Sequence, residues 1–203
     1  MRIAGVVLLA LSLQAQSPSL DLAAVRSITP QTPVDVQIAI AKSAGPPVSA
    51  AATIYVLGTH GYTRAQQGTN GFTCLIDQNQ PDVIAPECFD AAGAPTIEAI
   101  MFVAAERARG VSEAEIRTAV KDRYERGQFV PPARPGIVYM LSDYNYLADP
   151  DTHQITHFPP HLMFYAPFLK ATDVGSGPGA PFLTDPGQAD NLMVVIPASS
   201  HPH

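Results

Sequence analysis

Two consecutive helical patterns occupy the middle of this 203-residue chain, and β-like segments stand before and after them. Apolar residues recur at helical spacing from Ile97 until Gly110 ends the pattern. The next helix begins with a capping-box motif at Ser112. A further helix is predicted over 33–44, where alternating apolar residues leave a strand as the alternative. This order predicts an α+β fold, in which the N-terminal helix and the central αα-hairpin pack on one face of a mainly antiparallel sheet.

Strands are predicted wherever β-branched and aromatic residues cluster between turn-forming residues. The Asn70-Gly71 pair is typical of a tight turn, so the segments on either side of it predict a β-hairpin or a meander. The span that follows, up to position 88, is rich in Asp, Asn and Pro and predicts a polar loop. The predicted strands are 52–57, 62–66, 71–77, 136–141, 161–166 and 191–196.

The composition excludes several classes of protein. Charged residues make up 15% and apolar residues 46%, which is too apolar for a disordered chain. The formal charge of −6 argues against a nucleic-acid partner, which requires a basic surface. The sequence has no phosphate-binding loop, dinucleotide fingerprint or haem-attachment motif. We therefore expect a globular protein without nucleotide or haem chemistry.

The N-terminus has the pattern of a secretory signal. Arg2 precedes an apolar run of about 11 residues, whereas a membrane-spanning helix needs about 20. Small residues at Ala15 and Ser17 suit a signal peptidase. We expect a signal peptide over 1–16, an N-terminal arm over 17–31 and a single α+β domain over 32–203. The mature chain would then be periplasmic or extracellular, with no membrane span. Its oligomeric state is left open.

Cys74 and Cys88 are the only cysteines. In an oxidising compartment, an isolated pair is most simply a disulfide. Closing a loop of about 15 residues stabilises a fold by roughly 3 kcal/mol in the chain-entropy model. A catalytic thiol or a metal thiolate is the alternative.

Several motifs together resemble a group of exported bacterial proteins that have no assigned activity. The stretch His161-Leu-Met-Phe164 is the most specific of these motifs, and the resemblance covers about residues 34–197. It implies neither a fold nor a reaction. Similar proteins often carry a further histidine where this chain has Pro159, which weakens a metal site inferred from the group. The motifs are 61–62, 68–75, 86–89, 139–142 and 157–164.

A metal site is the first candidate for chemistry. His157, His161 and Met163 are ligand types that suit copper, and zinc also accepts histidine. Residues four apart in an extended chain are separated by about 13 Å, so one ion cannot bridge the two histidines unless the chain turns. His60 is a candidate ligand from elsewhere in the chain. We expect any such site to centre on His161, with histidines satisfied by hydrogen bonds near a sheet edge as the alternative.

A small secreted hydrolase is the rival function. His161 would act as general base, with Ser142 as nucleophile and Asp143 as the acid. No G-x-S-x-G motif supports this set, and a serine after a strand is usually a turn former. A pair of carboxylates is a further option, but its members are loop acids, which are ordinarily surface residues: Glu87 with Asp90, or Asp143 with Asp149.

The favoured hypothesis is a binding module for a small ligand or a metal ion. Arg64 and Asn70 could orient a carboxylate or a sugar, and Tyr62 could stack on it. Tyr165 shares a strand face with His161 and is a further ligand-binding candidate. A structural or interaction domain without a site is the third possibility.

Overall fold

The computed structural model describes residues 28–78, 83–148 and 154–196. Within these ranges it contains three α-helices: α1 (Val34–Ser43), α2 (Ala94–Ala108) and α3 (Glu113–Glu125). The first five strands are β1 (Thr53–Gly58), β2 (Gly61–Gln66), β3 (Thr73–Asp77), β4 (Ala85–Phe89) and β5 (Ile137–Met140). The remainder are β6 (Tyr146–Ala148), β7 (Ile155–His157), β8 (His161–Tyr165), β9 (Phe182–Leu183) and β10 (Leu192–Val195). The predicted signal peptide and most of the predicted arm lie outside the described residues.

Eight of these strands form one sheet, in the order β2-β1-β3-β4-β5-β8-β10-β9. Every pair of neighbours is antiparallel except β1 and β3, which run parallel. β6 and β7 form a separate two-stranded sheet, joined to the chain before β4 by a bridge between Tyr146 and Ile84. The predicted α+β class and the mainly antiparallel sheet are confirmed.

Local signals set the helix boundaries. Pro33 precedes α1, and the side chains of Ser112 and Glu115 form the predicted capping box at the start of α3. Gly110 follows α2 with a φ of 79°, the left-handed conformation that ends many helices. The three predicted helices are therefore confirmed, and the strand alternative for α1 is excluded.

The helices divide between both faces of the sheet, whereas the sequence predicted packing on one face. α1 packs through Ile40 against Cys74 and Cys88. α2 packs through Ile97 against Leu75 and Phe89, on the opposite face. β3 and β4 carry apolar residues on both faces of the sheet. Each face therefore needs other elements packed against it.

The hairpin predicted around Asn70-Gly71 is wrong. The chain reverses before Gly61, so that β2 pairs antiparallel with β1. The loop after β2 then crosses the end of β1. In this loop, the N–H of Thr69 donates to the Ala51 carbonyl at 2.8 Å. β3 therefore arrives on the other side of β1 and runs parallel to it.

The predicted polar loop between the cysteines is also wrong. β3 continues past Cys74, and β4 occupies the end of this span and pairs antiparallel with β3. Cys74 and Cys88 are directly opposite in the two strands and form the predicted disulfide. The crosslink therefore joins two neighbouring strands of the sheet.

Candidate functional site

A cavity of about 660 Å³ lies between the α2 face of the sheet and the helices α2 and α3. We call it the central cavity. Strands β3, β4, β5, β8 and β10 contribute to its wall, as do residues of α2, α3 and the segments around 156–158 and 182–190. Its polar lining groups are Asp77, Glu87, Thr96, Tyr124, Thr156, His161, Thr184, Asp185 and Asp190. Most of the remaining lining residues are apolar, and they include Ala99, Ile100, Phe89, Met140 and Met163.

Two carboxyl groups lie next to each other on the cavity wall. The register pairs Glu87 with Leu75 and Ala85 with Asp77. Glu87 and Asp77 are therefore diagonal neighbours on one face, at about 8 Å or less between their Cβ atoms. Glu87 is only 8% exposed. Within the described ranges, no hydrogen bond or ion pair engages its carboxyl group.

Burial governs the protonation of this pair. It raises the pKa of Glu87 well above its ordinary value, and the charge of Asp77 raises it further. Burial also raises the pKa of Asp77 to about 6, against the opposing effects of the Arg107 guanidinium and the Gln78 N–H. Asp77 is therefore mostly ionised at neutral pH, while its environment favours the protonated form of Glu87.

Arg107 and Tyr62 lie near Asp77 but outside the lining of the cavity. The guanidinium of Arg107 donates to both carboxylate oxygens of Glu113, from Nε at 2.7 Å and from Nη2 at 2.9 Å. It also donates from Nη1 to the carbonyl of Gln78. The hydroxyl of Tyr62 donates to the carbonyl of Ile76, and burial raises the pKa of this phenol, which stays protonated. These contacts hold α2, α3 and the end of β3 together beside the carboxyl pair.

His161, the predicted centre of the site, lines the central cavity but is only 1% exposed. Its Nδ1 lies 2.8 Å from the carbonyl oxygen of Pro159, which can only accept, so Nδ1 carries the proton. The ring packs edge-on against Phe158 with centroids 4.8 Å apart. Burial lowers the pKa of His161. The imidazole is therefore neutral, forms part of the cavity wall, and donates its Nδ1 proton to the backbone.

The predicted metal ligands do not converge. His157 is exposed on β7 against the ring of Tyr146, and His60 is exposed at the turn between β1 and β2. Four strand spacings separate β1 from β8, so His60 is about 19 Å from the strand of His161. Met163 is buried two residues after His161. No group of three histidine, cysteine or acidic side chains in the described part of the chain could hold a metal ion.

The predicted hydrolytic residues are also separated. Ser142 is buried, with its Oγ 2.6 Å from the Oγ of Ser43, the last residue of α1. Its Oγ also accepts from the N–H of Tyr144 at 3.0 Å. Asp143 is exposed. Ser142 thus bonds to the helix on the face opposite His161, and the structure does not assemble the predicted triad.

The four predicted ligand-binding residues are scattered in the same way. Arg64 is exposed on β2, and the Asn70 amide bonds to the backbone of Val48 and Phe72. Tyr62 lies near Asp77 but outside the cavity lining, as described above. Tyr165 is buried, and burial and the neighbouring Asp90 carboxylate raise the pKa of its phenol.

Asp77 and Glu87 form a pair that the sequence did not predict. Glu87 was considered only with Asp90, as a surface acid in a loop, whereas it is buried in β4. The spacing of these acids from the two cysteines could have predicted the pair. If the two cysteines face each other across antiparallel strands, alternation places Glu87 beside Leu75 and near Asp77 on the opposite face.

No protein-family model, no curated protein and no solved structure matches the chain. The resemblance to exported bacterial proteins therefore stays a prediction. In the described ranges, each helix is too short or too polar to cross a lipid bilayer.

Proposed function

We propose that this protein binds a small, largely apolar molecule in the central cavity. The observation that carries the proposal is the carboxyl group of Glu87: the residue is only 8% exposed, it lines the cavity, and its carboxyl makes no hydrogen bond in the described part of the chain. Its oxygen atoms are not among the fully buried unpartnered atoms of the described residues, so they remain accessible from the cavity, where a bound molecule could supply a partner.

The size and lining of the cavity support this proposal. Ligand sites commonly measure about 300–1,000 Å³, and 660 Å³ falls within that range. They are also mostly apolar with a few polar groups that orient the ligand. Here Ile100, Phe89 and Met163 provide apolar surface, and the two carboxyls provide the polar end.

The setting that we propose is outside the cytoplasmic membrane, either periplasmic or extracellular. The signal-like N-terminus supports export, and the Cys74–Cys88 disulfide supports an oxidising compartment. A ligand-binding protein fits the residues better than the metal or hydrolase alternatives. The metal alternative requires His60 or His157 to share a site with His161, and the hydrolase alternative requires Ser142 to do so. None of these three residues forms a site with His161.

Binding of Nile red, a neutral dye that fluoresces in apolar surroundings, tests the proposal. Ala99 lies on α2 and lines the cavity, so Ala99→Leu should fill part of it. We expect the wild type to bind the dye and Ala99→Leu to bind it about tenfold more weakly, since overfilling a packed site costs about 1 kcal/mol or more.

Ala114→Leu is the matched control, because Ala114 is exposed on α3. It should bind the dye like the wild type. Thermal unfolding of all three proteins would show that each is folded. Absence of dye binding by the folded wild type, or equal affinities for the two variants, would overturn the proposal.

A further inference from the structure

We propose that the ligand of the central cavity carries a protonated primary amine, which Glu87 and Asp77 bind. This inference rests on the proposed function and adds the chemical class of the ligand. Its first support is the charge of the cavity wall. Four carboxyl side chains line the cavity, and among its described lining residues there is no lysine or arginine. An occupant with a positive charge complements this wall.

The other titratable groups around the pair do not supply that charge. Arg107 acts on Asp77 from outside the cavity lining and is held by Glu113 on α3. His161 is neutral, with its Nδ1 proton directed to Pro159. On the helix side, Tyr124 presents a hydroxyl that has no hydrogen-bond partner in the described ranges. Asp185 and Asp190 add only negative charge.

The geometry of the pair suits an ammonium group. A primary ammonium has three N–H donors and no acceptor, so it can bond to two neighbouring carboxylates at once. Glu87 and Asp77 project from adjacent strands on the same face. The rest of the wall is mostly apolar and suits a hydrocarbon body rather than a hydrated ion. A metal ion is the poorer fit, because the described residues offer no third ligand at this point.

Amine binding would also move a proton. The ammonium keeps its three protons, and its charge favours the carboxylate form of Glu87. The proton that leaves Glu87 passes to the buffer. A neutral molecule of the same length does not favour this ionisation, so proton release distinguishes a cationic occupant from a neutral one.

The experiment uses displacement of Nile red by octylammonium, octanol and octanoate, which share a chain and differ in head group. We expect octylammonium to compete at about tenfold lower concentration than octanol, the effect of one favourable buried charge contact. Octanoate should be the weakest competitor. In Glu87→Gln, octylammonium should lose most of its advantage. In Glu98→Gln, which removes an exposed acid of α2, the advantage should be unchanged.

The outcomes separate the two proposals. Equal competition by the three compounds would overturn the amine inference and leave the ligand cavity standing. Failure of the wild type to bind Nile red would overturn both. A preference for octylammonium that Glu87→Gln retains would overturn the assigned role of Glu87.

Calorimetry on the wild type gives a readout that does not depend on a variant folding. Titration of octylammonium at pH 7 in two buffers of different ionisation enthalpy should give different heats, which report proton release. Octanol should give the same heat in both buffers. Equal heats for octylammonium in the two buffers would overturn the release of a proton from Glu87.

Discussion

At the scale of single residues, Glu87 has the most unusual surroundings of the candidate site. Its carboxyl group is buried beside another acid, with apolar residues around both. Burial raises its pKa, so the folded protein holds this proton at a pH where the unfolded chain has lost it. The folded state therefore loses stability relative to the unfolded state as the pH rises above about 4.3, the ordinary pKa of glutamate.

This linkage gives a prediction for Glu87→Gln. Glutamine resembles protonated glutamate, so the variant and the wild type should have similar free energies of unfolding near pH 4. By pH 8 the variant should be more stable by about 1–3 kcal/mol, because it has no buried charge to accommodate. Urea unfolding of both proteins at several pH values measures this difference.

The comparison also removes the effect of His161. Burial lowers its pKa, so its contribution has the opposite sign and is lost as the pH falls below about 6.5. Both proteins contain His161, and its contribution cancels in the difference. A difference that does not change with pH would contradict the buried environment of Glu87.

Two of the residues singled out from the sequence, His161 and Met163, line this cavity, whereas its two neighbouring acids were not predicted to form a pair. His161 attracted attention through its chemistry, and it does line the cavity. Its bond to Pro159 and its distance from His60 depend on how the chain folds, which local spacing does not report. Glu87 was assigned to a surface loop because it follows a proline.

At the scale of elements, helices were predicted well because their signals are local. Ser112 and Gly110 mark the boundaries of α2 and α3 within one turn of the chain. Strand pairing depends on distant residues. β4 contains Pro86, which lacks the N–H that a ladder needs, and the sequence argued against a strand there. The structure accommodates Pro86 because the ladder between β4 and β5 begins at Cys88.

Gly61 is a position where β2 closely approaches α2, and it gives a second prediction. Its φ is 103°, and a Cβ at this position would lie 3.3 Å from backbone atoms of Ala105. Gly61→Ala should lower the free energy of unfolding by about 2 kcal/mol, from backbone strain and this contact together.

Gly110→Ala is the control for backbone strain alone. Its φ is 79°, and a Cβ added there would meet no other part of the described chain within 4 Å. It should cost about 1 kcal/mol. Chemical denaturation of the two variants checks the order, and an equal loss in both would argue against close packing of β2 on α2.

At the scale of the whole molecule, the α+β class followed from the order of the patterns, but the layering did not. Whether a helix covers one face or the other depends on which strands become neighbours. The parallel pairing of β1 with β3 and the position of β4 in the middle of the sheet put apolar residues on both faces. These are long-range events that the local pattern of apolar residues does not determine.

The disulfide gives a prediction for the stability of the whole domain. Cys74 and Cys88 are separated by 14 residues, and joining them restricts the unfolded chain. Reduction should lower the free energy of unfolding by about 3 kcal/mol. Guanidinium unfolding with and without a thiol reductant measures the loss. A Cys74→Ala/Cys88→Ala protein should not respond to the reductant, and an unchanged midpoint for the reduced wild type would contradict the prediction.

The same crosslink has a consequence for acid–base behaviour. The sulfur atoms lie on the α1 side of β3 and β4, while Asp77 and Glu87 project from these strands to the other side. A slip of one residue between the two strands would place the acids on opposite faces, and the covalent bond forbids that slip. Oxidation of the two cysteines during folding therefore helps to fix the register that keeps Asp77 and Glu87 side by side, and with it the protonation of these two carboxyl groups.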